Sequence, residues 1–244
     1  IPFKLDKKAA VDSLKRHLTG KKLLPKVFRD ENHIEEVKGV YVPVWLFDAD
    51  VDADIHYRAT KVRVWSDSDY NYTETSHFSV RRRGSLSFQD VPVDGSSKMP
   101  DELMESIEPY NMADAVDFQT AYLSGYLANR YDVAAEDSAG RAGDRMRNCA
   151  ADTFRSTVHG YTTVALDKCR IDTGNGKSKY VLYPVWLLNT EWRGEKYLFA
   201  MNGQTGKFVG NLPLDKGAYV KWLLGITASA GVVCGLILTI INLI

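Results

Sequence analysis

Cysteine is scarce in this sequence of 244 residues, which contains three cysteines and no Cys-x-x-Cys pair. The sequence therefore predicts neither a zinc ribbon nor a disulfide framework, and it favours a reducing compartment. An excess of charge is also lacking, because 31 basic residues balance 31 acidic residues. A chain that coats nucleic acid carries a basic excess. The charge balance thus disfavours nucleic acid as a partner.

Catalytic and cofactor motifs are missing as well. The sequence contains no P-loop, no G-x-G-x-x-G and no G-x-S-x-G, and its five histidines form neither His-x-x-x-His nor His-Glu-x-x-His. We therefore predict no catalytic residue, no metal site and no cofactor, and we expect the chain not to be an enzyme. A hydrolase acting at the membrane stays open as an alternative, since folding can bring distant residues together.

One long apolar run is present at residues 222–244, which contain no charged residue. As a helix this run is about 34 Å long, enough to cross a hydrocarbon core of about 30 Å. Tyr219, Lys221 and Trp222 lie where residues of the membrane interface are expected. The run predicts a transmembrane helix in contact with membrane lipid. A buried core helix is the alternative, but such helices rarely run this long without a polar face.

The basic residues around this run indicate its orientation. Lys216 and Lys221 precede it, and no lysine or arginine follows it in this sequence. Positive charge is retained on the cytoplasmic side of membrane helices. We therefore expect a single-pass protein of the cell membrane whose residues 1–215 face the cytoplasm.

Small residues recur at every fourth position of the run, at Thr227, Gly231, Gly235 and Thr239. Gly231 and Gly235 form a G-x-x-x-G motif, which allows a second helix to approach closely. The stripe predicts a helix-packing face and a helix–helix oligomer. The alternative is that small residues are simply common in membrane helices.

The string Pro-Val-Trp-Leu occurs twice, beginning at Pro43 and at Pro184. Each copy follows a helical pattern and opens a stretch with β-strand character. We therefore predict an α+β fold made of two helix-plus-antiparallel-sheet units, related by duplication and followed by the transmembrane helix. The corresponding domains are 1–110, 111–215 and 216–244.

Periodicity and turn residues predict the elements of each unit. Asp6 is expected to cap a first helix that stops at Gly20, and a second helix is expected over 135–159. The predicted strands are 40–57, 60–66, 75–82, 85–92, 161–171, 179–190, 195–202 and 206–210. A hairpin turn is expected at Arg83–Gly84. The apolar segment 91–133 is expected to pack between two sheets.

Three polar patterns are candidates for binding. Asp48, Asp50, Asp52 and Asp54 alternate, which predicts the solvated face of a strand, with cation binding as the alternative. Arg81, Arg82 and Arg83 form a possible basic patch for nucleic acid or anionic lipid, but the neutral overall charge favours a solvated hairpin end. Segment 202–206 resembles a phosphate-binding loop, but it lies between two strands, which favours a hairpin turn.

Several strings together resemble a bacterial family of membrane proteins described as "TFIIB-type zinc ribbon-containing", some of whose members carry a replication-restart helicase name. These strings are GVYVPVWLFD (39–48), VPVDGSSKM (91–99), SIEPYNM (106–112), YLSGYLANRYDV (122–133), YPVWLL (183–188) and NGQTGKFVG (202–210). In that family a zinc ribbon precedes the body. The ribbon cysteines are absent here, so the resemblance implies no metal ligand.

No enzymatic activity is established for that family, so the resemblance implies no catalytic role. Some members are associated with membrane-stress systems that contain phage-shock-A-type and flotillin-like (SPFH) proteins. We therefore expect a membrane-anchored cytoplasmic adaptor or scaffold that binds protein partners, an SPFH or phage-shock-type protein among the candidates. The alternative is a nucleic-acid-binding or replication-associated protein, which a salt-sensitive shift with DNA or RNA would indicate.

Overall fold

The computed structural model describes residues 1–21, 23–25, 28, 37–174 and 176–243, with side chains up to Gly235 except that of Thr190. Its helices are α1 (Lys7–Leu18), α2 (Asp101–Ser106), α3 (Ala135–Ser156) and α4 (Lys216–Leu243). Its strands are β1 (Lys38–Ser66), β2 (Asn71–Asp94), β3 (Leu127–Ala128), β4 (Thr163–Thr173), β5 (Lys177–Trp192), β6 (Glu195–Asn202) and β7 (Phe208–Gly210). Short 3-10 turns cover Met112–Asp114 and Thr120–Leu123.

The two predicted helices of the body are confirmed. A carboxylate oxygen of Asp6 accepts the backbone N–H of Ala9 at 2.8 Å, which caps α1, and Gly20 beyond its end has φ +79°. In α3, the buried residues Met146 and Ala150 recur at helical spacing and face the core. The helix ends three residues earlier than expected.

Among the described residues, seven strands form one sheet. The strand order is β2-β1-β5-β6-β7, and β3 and β4 also pair with β1. Strands β2 and β4 pair with β1, β6 pairs with β5 and β7 pairs with β6, all antiparallel, whereas the short pairing of β3 with β1 is parallel. The predicted α+β class is therefore confirmed, with one large, mainly antiparallel sheet. The expectation that 91–133 packs between two sheets is wrong, because the described strands belong to a single sheet.

The hairpin turn predicted at Arg83–Gly84 is also wrong. Both residues lie in the middle of β2, where Gly84 pairs with Ala53, and the strands predicted as four pieces are two continuous ones. The chain reverses at Asp67–Tyr70 instead, where a carboxylate oxygen of Asp67 accepts the backbone N–H of Tyr70 at 2.8 Å. Asp67 thus builds the turn through its side chain.

Gly84 has a packing role that explains the error. A Cβ at this position would lie 3.3 Å from the ring of Phe154 in α3. Helix α3 packs against β2, so the missing side chain allows a close approach of helix and strand. A glycine required for packing is indistinguishable, in a single sequence, from a glycine required for a turn.

The described chain divides into two compact units, each assembled from separate stretches of sequence. The first unit comprises Ile1–Tyr41, Glu102–Ala128 and Tyr183–Ile244, and the second comprises Val42–Asp101 and Asn129–Leu182. The predicted domains were consecutive segments, and their boundaries stay a prediction. In each unit one helix covers the apolar side of strands.

The cores of the two units follow from this arrangement. In the first unit, the apolar side of α1 packs with strands β5 and β6, as shown by the buried cluster of Leu14, Leu18, Trp186, Phe199 and Met201. In the second unit, α3 packs on β1 and β2 around Val51 and Met146. Burial of a large apolar side chain contributes roughly 1.5–3 kcal/mol.

Candidate functional site

Helix α4 is long and apolar enough to cross a membrane. Its segment Lys216–Gly235 has a mean hydropathy of 1.3, and none of it is buried within the described chain. Tyr219 and Trp222 are 47% and 40% exposed. The helix is therefore not a core helix of this chain, and its apolar surface is free to contact lipid or another protein.

The start of α4 is held by Asp215. A carboxylate oxygen of Asp215 accepts the N–H of Gly217 at 2.9 Å and that of Ala218 at 3.2 Å. The backbone N–H of Asp215 itself donates to the carbonyl oxygen of Leu23 at 2.9 Å. This aspartate therefore caps the helix and fastens its first turn to the first unit.

The predicted packing stripe lies on α4 as expected from its spacing. A Cβ at Gly231 or Gly235 would meet no neighbouring atom within 4 Å, and the Thr227 hydroxyl donates to the carbonyl oxygen of Leu223 at 2.8 Å. The side chain of Thr239 lies outside the described side chains. Helix–helix packing through this stripe stays a prediction.

The alternating aspartates lie along β1 as the sequence predicts. The apolar residues that alternate with them, Val51, Ala53 and Ile55, are buried. Polar partners on β2 hold each carboxylate in turn. Asp50 accepts the hydroxyl of Ser87 at 2.5 Å, and Asp52 accepts that of Ser85. These carboxylates belong to a hydrogen-bonded polar sheet face.

A shallow polar cleft of about 360 Å³ lies on this face. Its lining residues are Asp52, Ala53, Asp54, Arg83, Gly84, Ser85, Arg170 and Asp172. No group of three or more histidines, cysteines or carboxylates in the described part of the chain is arranged to hold a metal.

The three arginines predicted as a basic patch point to different faces of β2. Arg81 makes two hydrogen bonds to the carboxylate of Asp54, at 2.8 and 2.5 Å, and this guanidinium lowers the pKa of Asp54. Arg82 donates to the hydroxyl of Thr157 at 2.9 Å on the opposite face, and Arg83 lines the polar cleft. The run therefore supplies no continuous cationic surface.

An exposed aromatic surface at the end of the β1–β2 hairpin was missed by sequence reasoning. This tip surface consists of Val64, Trp65, Tyr70 and Tyr72. Val64 and Tyr70 are 67% and 68% exposed. The rings of Trp65 and Tyr72 stack with centroids 5.5 Å apart, and the guanidinium of Arg63 lies 5.2 Å from the Trp65 centroid. Such a cluster of exposed large side chains is typical of a contact site.

A signal for this surface was present in the sequence. Trp65-Ser-Asp-Ser-Asp-Tyr70 combines turn-forming residues with flanking aromatic ones. Once the turn is placed there and not at Gly84, the aromatic residues fall at a hairpin end, beyond the reach of α3.

The 202–206 loop forms a hairpin turn that carries a buried hydrogen-bond network. The amide of Asn202 donates to the carbonyl oxygens of Ile107 at 2.9 Å and Pro109 at 3.1 Å, and its oxygen accepts the N–H groups of Gln204 and Thr205. Asn202 is fully buried. This asparagine therefore joins the loop to residues 107–109, which are far away in the sequence. Its side-chain oxygen also binds loop N–H groups that a phosphate would need.

Among the described carboxyl groups of the second unit, that of Asp94 has the most strongly shifted pKa. One oxygen accepts the N–H of Ser96 at 3.0 Å, whereas the other is buried and has no hydrogen-bond partner among the described residues. Burial, with smaller contributions from Asp101 and Asp132, raises the pKa of Asp94 to about 7. Nothing in the sequence distinguishes this aspartate from its exposed neighbours.

These features define a class: an α+β chain with one large antiparallel sheet and a C-terminal helix able to span a membrane. The chain is a homologue of a Bacillus subtilis (strain 168) protein whose name reads "Uncharacterized protein YdjG", and the two are 38% identical over 226 residues. The match covers 93% of this chain and 66% of that relative, so the chain spans just under two thirds of the relative's length.

Two other comparisons bear on the zinc-ribbon resemblance. No family model matches the chain, and no solved structure gives a significant match. Membership in the zinc ribbon-containing family therefore stays a prediction.

Proposed function

We propose that this chain is a membrane-anchored adaptor that binds protein partners. The observation that carries the proposal is α4, a helix long and apolar enough to span a membrane and unburied over Lys216–Gly235. An apolar helix left uncovered in water would drive aggregation, whereas a bilayer covers it completely. The body then acts at the membrane surface.

The orientation is part of the same proposal. Lys216 and Lys221 lie at the body-proximal end of α4. The positive-inside preference then puts the body of a single-pass protein in the cytoplasm. Membership in the zinc ribbon-containing family, with an SPFH or phage-shock-type partner, is the accompanying hypothesis.

The tip surface is where we expect a protein partner to bind. Tryptophan, tyrosine and arginine are enriched at the energetic centres of protein interfaces, and all three are present here in Trp65, Tyr72 and Arg63. The rings of Trp65 and Tyr72 stack on each other, and tryptophan and tyrosine have few side-chain torsions to fix. A partner that covers them therefore gives up little side-chain entropy on binding.

Nucleic-acid binding is less well supported. Two of the three consecutive arginines are engaged within the chain, Arg81 by Asp54 and Arg82 by Thr157. A phosphate backbone would have to compete with these bonds, and the net charge of zero provides no long-range attraction. Protein binding at the tip surface requires no such competition.

We also infer that the sheet contains a duplicated unit, and matching hydrogen bonds support this. The carbonyl oxygen of Pro43 accepts the N–H of Gly95 at 2.9 Å, and that of Pro184 accepts the N–H of Gly203 at 2.8 Å. Each glycine follows directly on a strand paired with the Pro-Val-Trp-Leu strand. The two copies of the string therefore have the same local partner.

The two tryptophans extend the correspondence. The indole N–H of Trp45 donates to the carbonyl oxygen of Val133 at 2.9 Å, and that of Trp186 donates to Leu5 at 3.0 Å. Aromatic rings surround both indoles. Agreement in three features besides the identical string favours descent from one ancestral unit over coincidence.

Photo-crosslinking in intact cells tests the adaptor function. A photoreactive amino acid replaces Tyr70 in the full-length protein, and Lys168, an exposed residue on β4, is the control position. We expect a covalent adduct with a protein other than a second copy of this chain at position 70 and not at 168, and we expect Trp65→Ala to reduce it. Adducts only with lipid or nucleic acid at position 70, or none at all, would contradict the proposal.

A further inference from the structure

Strand β2 is an edge strand with an open row of backbone hydrogen-bonding groups. Within the described part of the chain it pairs with β1 and with no other strand. It runs for 24 residues, and such edges pair readily with another extended chain unless they are protected. Alternate residues of such an edge strand direct their backbone groups outward.

Hydrogen bonds on the other side of β1 show which residues of β2 direct their backbone groups outward. The carbonyl oxygens of Asp50 and Thr60 accept N–H groups from Gly174 at 2.8 Å and Thr162 at 2.7 Å, in the segments that flank β4. Even-numbered residues of this part of β1 therefore direct their backbone groups away from β2. Their partners on β2 have odd numbers, as in the Thr60–His77 pair, and direct their own groups outward.

The outer half of this edge lacks the usual protection. The outward-facing residues Thr73, Thr75, His77 and Ser79 are followed by Arg81 and Arg83. No proline, lysine or register shift occurs between Asn71 and Phe88 on β2. The first proline is Pro92, near the opposite end of the strand. Residues 71–79 thus form a regular edge that no other strand of the described chain covers.

When two copies of this edge lie antiparallel, acidic residues of one copy can face basic residues of the other. Glu74 lies four residues before Phe78, and Arg82 lies four residues after it. In an antiparallel pair of two such strands centred on Phe78, Glu74 of each copy lies opposite Arg82 of the other. No arginine then faces an arginine, and Tyr72 lies opposite Gly84. A centre at Arg82 would bring the cations together.

We propose that β2 pairs with β2 of a second copy of this chain, antiparallel and centred on Phe78. The outward backbone groups of 71–85 supply the hydrogen bonds. The two Glu74–Arg82 pairs set the register, and the Arg82 guanidinium releases or shares its bonds to Thr157 to form them. The arrangement has two-fold symmetry, so each copy presents the same edge to the other. This self-association goes beyond the adaptor function and does not depend on the partner at the tip surface.

Disulfide trapping tests the register in the full chain. Serine replaces the exposed cysteines Cys149, Cys169 and Cys234, and Phe78→Cys then places one thiol on the symmetry axis. Even-numbered residues form non-hydrogen-bonded pairs across this interface, with Cα atoms about 4.5 Å apart, which suits a disulfide. We expect rapid dimer formation with Phe78→Cys in membranes. The matched control Ser76→Cys lies opposite Val80 and is expected to form little dimer.

A second substitution separates strand pairing from dimerisation by α4. Thr75→Pro removes an outward N–H that β1 does not use, so the hairpin should still fold, while disulfide-linked dimer formation by Phe78→Cys should fall by at least about tenfold. Circular dichroism checks the fold. Equal trapping at positions 76 and 78, trapping insensitive to Thr75→Pro in a folded protein, or a disulfide at position 78 to a different protein would each overturn the proposal.

Discussion

Asp94→Asn is expected to stabilise the protein at neutral and alkaline pH and to flatten its stability between about pH 4 and pH 7. The carboxyl pKa is raised by burial from 3.8 to about 7 in the folded state. A raised acid binds its proton more tightly when folded, so the stability from that proton is fully present below pH 3.8 and is lost as the pH rises through about 7. A shift of this size corresponds to at most about 4 kcal/mol, and solvent access reduces our expectation to about 2 kcal/mol.

Asparagine is the informative replacement because it removes the charge and keeps the oxygen that accepts from Ser96. Urea unfolding in detergent at about pH 5 and about pH 8 measures the effect. The control is the same substitution at an exposed aspartate of β1, Asp50→Asn, measured at the same two pH values. If Asp94→Asn and the wild type lost equal stability between the two pH values, a buried charge at Asp94 would be ruled out.

Asn202→Ala is expected to destabilise the protein by about 3–4 kcal/mol. The substitution removes two donated and two accepted hydrogen bonds in a fully buried site and leaves the carbonyl oxygens of Ile107 and Pro109 without a donor. Denaturant unfolding gives the free energy, and hydrogen exchange should show faster exchange over 106–112. The exposed Asn71→Ala is the control, with an expected change within about 0.5 kcal/mol.

The outcome that would contradict the Asn202 account is a loss below about 1 kcal/mol, since a network held by this residue cannot be removed so easily. Asn202→Asp is a second test. It introduces a carboxyl group at a buried site, whereas Asp94→Asn removes one. Its carboxylate would face two carbonyl oxygens, so the variant should lose stability as the pH rises through the range where the carboxyl ionises.

Local pattern predicted much of this fold. Helix α1 follows from the cap at Asp6, and α3 follows from apolar residues at helical spacing, because both signals act within a few turns of chain. The alternation of aspartates and apolar residues in β1 likewise fixed which side is buried. The predicted ends of β5 and β6 lie within two residues of the observed ones, since turn residues flank both strands.

What failed depends on contacts between distant residues. Gly84 was taken for a turn because its reason, the ring of Phe154, is 70 residues away. That error hid the hairpin end and therefore the tip surface. The partners of Asn202 and the burial of Asp94 are equally non-local, so neither residue could be selected from sequence. Helix α4 needed no tertiary contact, so a helix long and apolar enough to cross a membrane could be predicted from composition alone.

Extraction of the full-length protein from isolated membranes tests the central claim, that α4 crosses the bilayer and holds the body there. We predict that the protein stays with the membranes in high salt and in alkaline carbonate, and that detergent releases it. Replacing Ala230 by arginine, at the middle of the span, should weaken this retention. Complete release of the intact protein by salt or carbonate without detergent would contradict the account.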